Sequence, residues 1–271
     1  MGENLDFNFS ANTVIVVGGT SGINLGVAKN FADAGARIGV ISRSPEKVES
    51  AVEFLSQSGG EVLGSIADVR NYDQITEGLQ NFADEFGAFD VLVSGAAGNF
   101  PARANDMSPN GFAAVVNIDL LGTFHVLKAA YPHLKKPGGS IINISAPQAF
   151  IPMILQSHVC AAKAGVDMIT RTFAMEWGGE GIRVNSIVPG PIQDTEGMKR
   201  LAPTPELLNS VVESVPLKRL GQSSDIGRMA MFLASPLADY VTGTVIPVDG
   251  GWSLGGVSGL MDELSKEMEK H

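Results

Sequence analysis

Seven short apolar runs separated by segments of helical length constrain this chain more than any other feature. The runs are Val14 to Val17, Arg37 to Ile41, Glu61 to Ile66, Val91 to Val93, Ser140 to Ile144, Arg183 to Val188 and Val245 to Val248. Between them, Val27 to Ala34, Pro45 to Gln57, Tyr72 to Phe86, Phe112 to Leu134 and Val159 to Trp177 have helical composition and spacing. Short, near-continuous apolar strands that alternate with helices predict a parallel sheet covered on both faces, an α/β architecture. At 271 residues with 44% apolar content, the chain can bury a full core. No repeat or low-complexity linker divides it, so residues 1–271 are expected to form one domain.

A net charge of -10 opposes non-specific binding to nucleic acid or anionic membranes, since a polyanionic partner needs a basic surface. No apolar run is expected to reach bilayer length, and the start Met1-Gly2-Glu3-Asn4-Leu5-Asp6 lacks the basic-then-apolar order of a secretory signal. The one cysteine, Cys160, excludes an internal disulfide and a multi-cysteine metal site, and reads as a small buried residue. A cytoplasmic location is the expectation. The stretch 192–216 carries several prolines and fits no core strand, which predicts a lid or substrate loop. The tail Leu260 to Met268 reads as an amphipathic docking or oligomer contact.

Directly after the first strand comes Gly18-Gly19-Thr20-Ser21-Gly22-Ile23-Asn24-Leu25-Gly26, opening a helix. Small residues let backbone approach a pyrophosphate, and the helix N-terminus supplies N–H groups and partial positive charge. In this position the turn predicts a dinucleotide site of the Rossmann type. The second strand ends at Ile41-Ser42-Arg43-Ser44, with no acid to bond a ribose 2′-hydroxyl. Arg43 instead suits the 2′-phosphate of NADPH. Asp68 and Val69, closing the third strand, are candidates for the adenine, with Asp68 as cap of the next helix the alternative.

The Gly-rich turn, Ala96-Ala97-Gly98, Lys163, the run Asn185 to Ile192 and Val248-Asp249-Gly250-Gly251 together resemble the short-chain dehydrogenase/reductase family over nearly the whole chain. Within it, Ala96 to Phe100, Ile118 to Phe124, Gln156-Ser157-His158 and Pro191-Ile192 with Thr195-Glu196-Gly197 look like the peroxisomal-type 2,4-dienoyl-CoA reductases. That resemblance implies NADPH-dependent reduction of a conjugated acyl-CoA thioester, auxiliary to unsaturated fatty acid β-oxidation, and a homotetramer. It also implies that Gly18, Thr20, Ser21, Gly22, Ile23, Ala96, Lys163, Pro189, Gly190, Ile192 and Thr195 join Arg43, Asp68 and Val69 in holding the cofactor, with no metal.

The chain departs from the general family pattern at four places. Asn24 stands for the third glycine of the phosphate turn, tolerable because asparagine accepts unusual backbone angles. Ala146 replaces a substrate-binding serine, Val159 the usual tyrosine four residues before Lys163, and Asp119 a structural asparagine. Losing the tyrosine acid is severe for an isolated ketone, whose alkoxide needs a proton at once; a positioned acid contributes roughly 10²–10⁴-fold. A conjugated thioester differs, because hydride arriving at the far end of the diene gives an extended enolate that needs electrostatic stabilisation first.

Asp119 is the candidate for proton handling, directly or through water, and burial among apolar groups would favour its protonated form. A helix-bending role is its alternative. His158, beside the vacated tyrosine position, is a second acid candidate. Asn99 and Phe100, at the carboxyl end of the fourth strand, are expected to face substrate. Met198, Leu201, Leu207, Leu208 and Val211 offer an apolar wall for the acyl chain, and Lys199 and Arg200 could meet coenzyme A phosphates. Two rival readings stand beside this one. An enoyl thioester reductase usually has a tyrosine seven before the lysine, where this chain has Gln156. The other rival is a catalytically silent NADP(H)-binding sensor or scaffold.

Overall fold

The computed structural model describes residues 7–255. Its strands are β1 (Thr13–Val17), β2 (Arg37–Ser42), β3 (Val62–Ile66), β4 (Val91–Ser94), β5 (Ser140–Ile144), β6 (Arg183–Pro189) and β7 (Val245–Val248). They form one all-parallel sheet in the order β3-β2-β1-β4-β5-β6-β7. The order reverses between β1 and β4, so the chain leaves these neighbours toward opposite sides and opens a crevice at their carboxyl ends.

Alternate residues of β1 serve the two faces. Val14 and Val16 join a core built with α1 (Gly22–Asp33), α2 (Pro45–Ser56) and a helix at Ser223–Ala234. Ile15 and Val17 join the other, built with α3 (Tyr72–Phe86) and the helices over Gly122–Ala130 and Ser157–Trp177. All five strands from β1 to β6 other than β3 are buried along most of their length, which is why they read as unbroken apolar runs.

The helical stretch expected at Phe112 to Leu134 is α4 (Pro109–Val116), a π-helical turn at Asn117–Leu121, and α5 (Gly122–Ala130). From Pro109 to His133 this helix is long and apolar enough to cross a membrane by length and composition, which corrects the expectation that no segment is. Val126, Leu127, Ala129 and Ala130 on its inner face belong to the core beneath the sheet. The next helix, α6 (Ser157–Trp177), begins two residues before Val159.

The proline-bearing stretch 192–216 is not a loop. It holds α7 (Glu196–Leu201) and α8 (Pro205–Ser214), capped by the side chains of Thr195 and Thr204. Pro205 occupies the first turn, where its missing N–H is harmless. The helix α9 (Ser223–Ala234) went unread in the sequence; Gln222 and Asp225 form a capping box at its start. The tail expected at Leu260 to Met268 lies outside the described residues.

Candidate active site

The Gly-rich turn lies in the crevice between β1 and β4. Gly18 has φ +77°, and a Cβ there would sit 2.9 Å from the Ala96 nitrogen, so this crossing excludes any side chain. Ser21 precedes α1 without a capping bond from its own side chain, leaving the first N–H groups of the helix to other acceptors. A glycine cradle beneath a helix N-terminus fits a dinucleotide pyrophosphate. Thr20, Ser21, Gly22 and Ile23 all belong to this turn and the first turn of α1.

Asn24 does not work as expected. It lies inside α1 with no left-handed backbone angle. Its side-chain amide donates to Gly95 O at 2.7 Å and Gly18 O at 3.4 Å, tying the two sides of the crevice together. A glycine there would lose this brace, while Gly95 has no Cβ to obstruct it.

At the other edge of the cofactor site, Arg43 is exposed at the end of β2. Asp68, at the end of the neighbouring β3, accepts from the Arg70 guanidinium and the Arg70 N–H, both at 3.0 Å. The Arg70 hydrogen bond holds the Asp68 carboxyl below the usual carboxylate range, with the Arg43 charge adding to it. The capping alternative for Asp68 is corrected: Asn71 caps α3, accepting from the N–H groups of Asp73 and Gln74. Val69 O is engaged by His125 Nδ1 at 2.8 Å.

Lys163 and Asp119 form the buried centre. Asp119 rides on the π-helical turn, which rotates it off the regular α-helical path toward the loop after β4. Its Oδ1 accepts from Gly98 N–H at 2.7 Å, and its Oδ2 lies 3.4 Å from Lys163 Nζ without a hydrogen-bond partner. Lys163 Nζ donates to Ile144 O at 3.0 Å. Thus the π turn, α6 and the ends of β4 and β5 converge on one buried ion pair, and each carboxylate oxygen faces a donor. The π turn that bends the helix is also what presents the Asp119 carboxylate to Lys163 and Gly98. Both Asp119 oxygens thus face donors, Gly98 N–H and Lys163 Nζ.

His158 is buried, its ring edge-on to Phe100 with centroids 4.6 Å apart. Burial lowers its pKa, against the opposing pull of the Phe100 and Gln156 backbones and the Asp119 charge. The imidazole is therefore neutral near pH 7, which weakens its candidacy as an acid. Val159 is buried beside it and offers no polar atom. Ala146 follows Ser145 at the end of β5.

One site residue was missed. Asp167, one helical turn beyond Lys163, is buried near Ser145, just after β5, and Ser186, in the middle of β6. Burial pushes its carboxyl up, opposed by those hydroxyls and then by the charges of Arg171 and Lys163. An acid in a helix ordinarily reads as solvent-facing; the only local signal is its spacing of four from a buried lysine.

Beyond β6, a Cβ on Gly190 would lie 2.6 Å from the Asp249 Cα, so the segment Pro189 to Ile192 is pressed against the turn after β7. Thr195 Oγ1 donates to Ile192 O at 2.8 Å and accepts from Met198 N–H, so its hydroxyl is engaged in capping α7. Of the expected acyl wall, Met198 is buried within the fold, while Leu207 and Leu208 are exposed on α8. Lys199 pairs with Glu196 at 3.1 Å on the surface. Cys160, expected to be buried, is half-buried on α6.

A family model described as enoyl-(acyl carrier protein) reductase matches residues 17–253. The chain is 40% identical over 266 residues to a peroxisomal 2,4-dienoyl-CoA reductase, (3E)-enoyl-CoA-producing, from Arabidopsis thaliana, covering 94% of this chain and 89% of the relative. It is 39% identical over 252 residues to the peroxisomal 2,4-dienoyl-CoA reductase of Saccharomyces cerevisiae, covering 91% and 86%. Its fold matches the crystal structure of a short chain dehydrogenase from Bacillus anthracis with a TM-score of 0.84 at 40% identity, covering 91% of this chain and 98% of that one.

Proposed function

This chain belongs to the short-chain dehydrogenase/reductase family of oxidoreductases, and from that premise we propose that it reduces 2,4-dienoyl-CoA thioesters with NADPH. The observation that carries the reading is the buried Asp119–Lys163 pair in a site where Val159 and Ala146 leave no hydroxyl at the two usual positions. A bound nicotinamide dinucleotide supplies the hydride. The residues of this chain have the remaining tasks. Lys163 holds the ribose side of the site and adds positive potential beside the developing enolate. Asp119, through its Oδ2, holds a water that gives a proton to the enolate, and the hydroxide left beside Lys163 is reprotonated from solvent. Protonation at the carbon next to the thioester leaves a 3-enoyl product, the outcome that the names of both relatives specify for those enzymes. Asn99 and Phe100, on the loop after β4, face the substrate.

Incubation with NADPH and 2,4-hexadienoyl-CoA tests the proposal. Cofactor oxidation should accompany loss of the dienoyl absorbance, and no turnover across several chain lengths would reject it. The enoyl-carrier-protein reading has the family model's description in its favour, but Gln156 stands at the place of its tyrosine. Turnover of an enoyl carrier-protein thioester in preference to any dienoyl-CoA would favour it.

Arg43 supports NADPH over NADH, being a cation at the end of β2 where a carboxylate would select the 2′-hydroxyl. Charge-assisted hydrogen bonds contribute roughly 1.5–3 kcal/mol each. Arg43→Asp should therefore weaken NADPH binding at least about tenfold and narrow the preference over NADH. Equal preference in the variant and the parent, measured by fluorescence titration, would remove Arg43 from the cofactor site.

We also propose a homotetramer built on α4 to α6, whose outer faces expose Leu121, Phe124, Met168 and Met175. Light scattering that finds a monomer at micromolar concentration would discard it.

A further inference from the structure

The segment between β5 and α6 carries apolar side chains that the fold does not use. Phe150 is 50% exposed, Ile154 90% and Leu155 41%. All three lie within six residues, on a connection that leaves the carboxyl end of β5 and runs into the catalytic helix. Scattered surface leucines need no explanation, but a contiguous apolar run at the mouth of a site does.

This segment is also held in place. Leu155 has φ +66°, a left-handed angle that a branched residue adopts at a cost of roughly 1–3 kcal/mol. Its carbonyl accepts from Ala102 N–H at 2.9 Å, which fastens it to the loop that follows Phe100. Phe100 is 37% exposed and packs edge-on against His158, while Gly111 at the start of α4 leaves room beside its ring. Gln148 Nε2 donates to Gln156 Oε1 at 2.6 Å and closes the base of the connection. The apolar residues are thus a braced shelf continuous with the expected substrate contact, and the strain at Leu155 sits at the joint between the two loops.

We propose that Phe150, Ile154 and Leu155 form a shelf for the distal methylenes of the acyl chain and set the chain-length preference of the enzyme. This rests on the acyl thioester reading above. It lies on a different segment from the wall expected on α7 and α8, of which Met198 is buried in the fold while Leu207 and Leu208 are exposed. An acyl tail fits the shelf chemically: the side chains are aliphatic and aromatic, and the segment 150–155 carries no charge to pair with a polar or ionic ligand. A tail laid there leaves the reacting end toward Phe100 and the Asp119–Lys163 pair.

Each methylene buried on such a surface improves binding by about fourfold. In the parent enzyme, kcat/KM should therefore rise from 2,4-hexadienoyl-CoA to 2,4-decadienoyl-CoA, chiefly through KM. In Ile154→Ser and in Phe150→Ser the rise should flatten, cutting the decadienoyl-to-hexadienoyl ratio by about tenfold or more. Both positions are exposed, so the variants should unfold at the parental temperature, and a conservative Ile154→Leu should restore the ratio. A chain-length ratio in both serine variants equal to the parent's, with the parent active, overturns the shelf and leaves the dienoyl reading intact. Failure of the parent to reduce any dienoyl-CoA overturns that reading instead. Binding of hexanoyl-CoA and decanoyl-CoA, followed by calorimetry on the same proteins, then judges the shelf without turnover: equal chain-length dependence in parent and variants rejects it.

Discussion

Lys163→Met should destabilise the protein and lower turnover together. Lys163 Nζ is the only cation within ion-pair distance of the buried Asp119 among the described residues. Removing one partner of a buried pair leaves the other charge uncompensated and costs about 3–5 kcal/mol. For a chain of this size that lowers the unfolding midpoint by roughly 6–20 °C. Calorimetric scans of parent and variant would establish this, and an unchanged midpoint in the variant would contradict the pairing. Turnover should fall by about 10²-fold or more, since Lys163 supplies positive potential where negative charge develops.

Asp119→Asn should likewise strand a buried charge, that of Lys163, at a cost of about 3–5 kcal/mol, but with a larger loss of activity. An asparagine oxygen can still accept from Gly98 N–H, so the loop after β4 keeps its position. The charge facing Lys163 and the acceptor that holds water are lost, and kcat should drop by roughly 10²–10⁴-fold. NADPH affinity should change little, because Gly98 N–H keeps its acceptor and the loop after β4 stays in place. Asp119→Ala should add instability of about 1–3 kcal/mol, because Gly98 N–H then lacks a partner. Full activity in the asparagine variant would reduce Asp119 to a structural role at the π turn.

The architecture was legible because burial on both faces of a parallel sheet leaves its strands as unbroken apolar runs, and each observed strand falls within a residue or so of its expected bounds. What escaped were elements whose logic is non-local. In α9, Gly227 breaks the helical pattern, yet a Cβ there would meet the Asn30 side chain of α1, so close packing requires the residue that propensity disfavours. The prolines of 192–216 signalled a loop because the threonine caps before Glu196 and Pro205 were not weighed against them. At the site, Lys163 and Asp119 were found through the missing tyrosine. Their contact depends on a π turn that no periodicity announces. Asp167 depends on hydroxyls of Ser145 and Ser186, about twenty residues to either side of it in sequence.

Val159 and Ala146 remove both hydroxyls that a ketone reductase would use, while Asp119 and Lys163 keep a buried charge pair suited to an enolate. The measurement that tests this most directly is a comparison of kcat/KM for 2,4-decadienoyl-CoA and 3-oxodecanoyl-CoA, each with saturating NADPH. The dienoyl thioester should be reduced and the ketone favoured less by at least about 10²-fold, the contribution of the absent acid. Comparable turnover of the ketone would contradict the account.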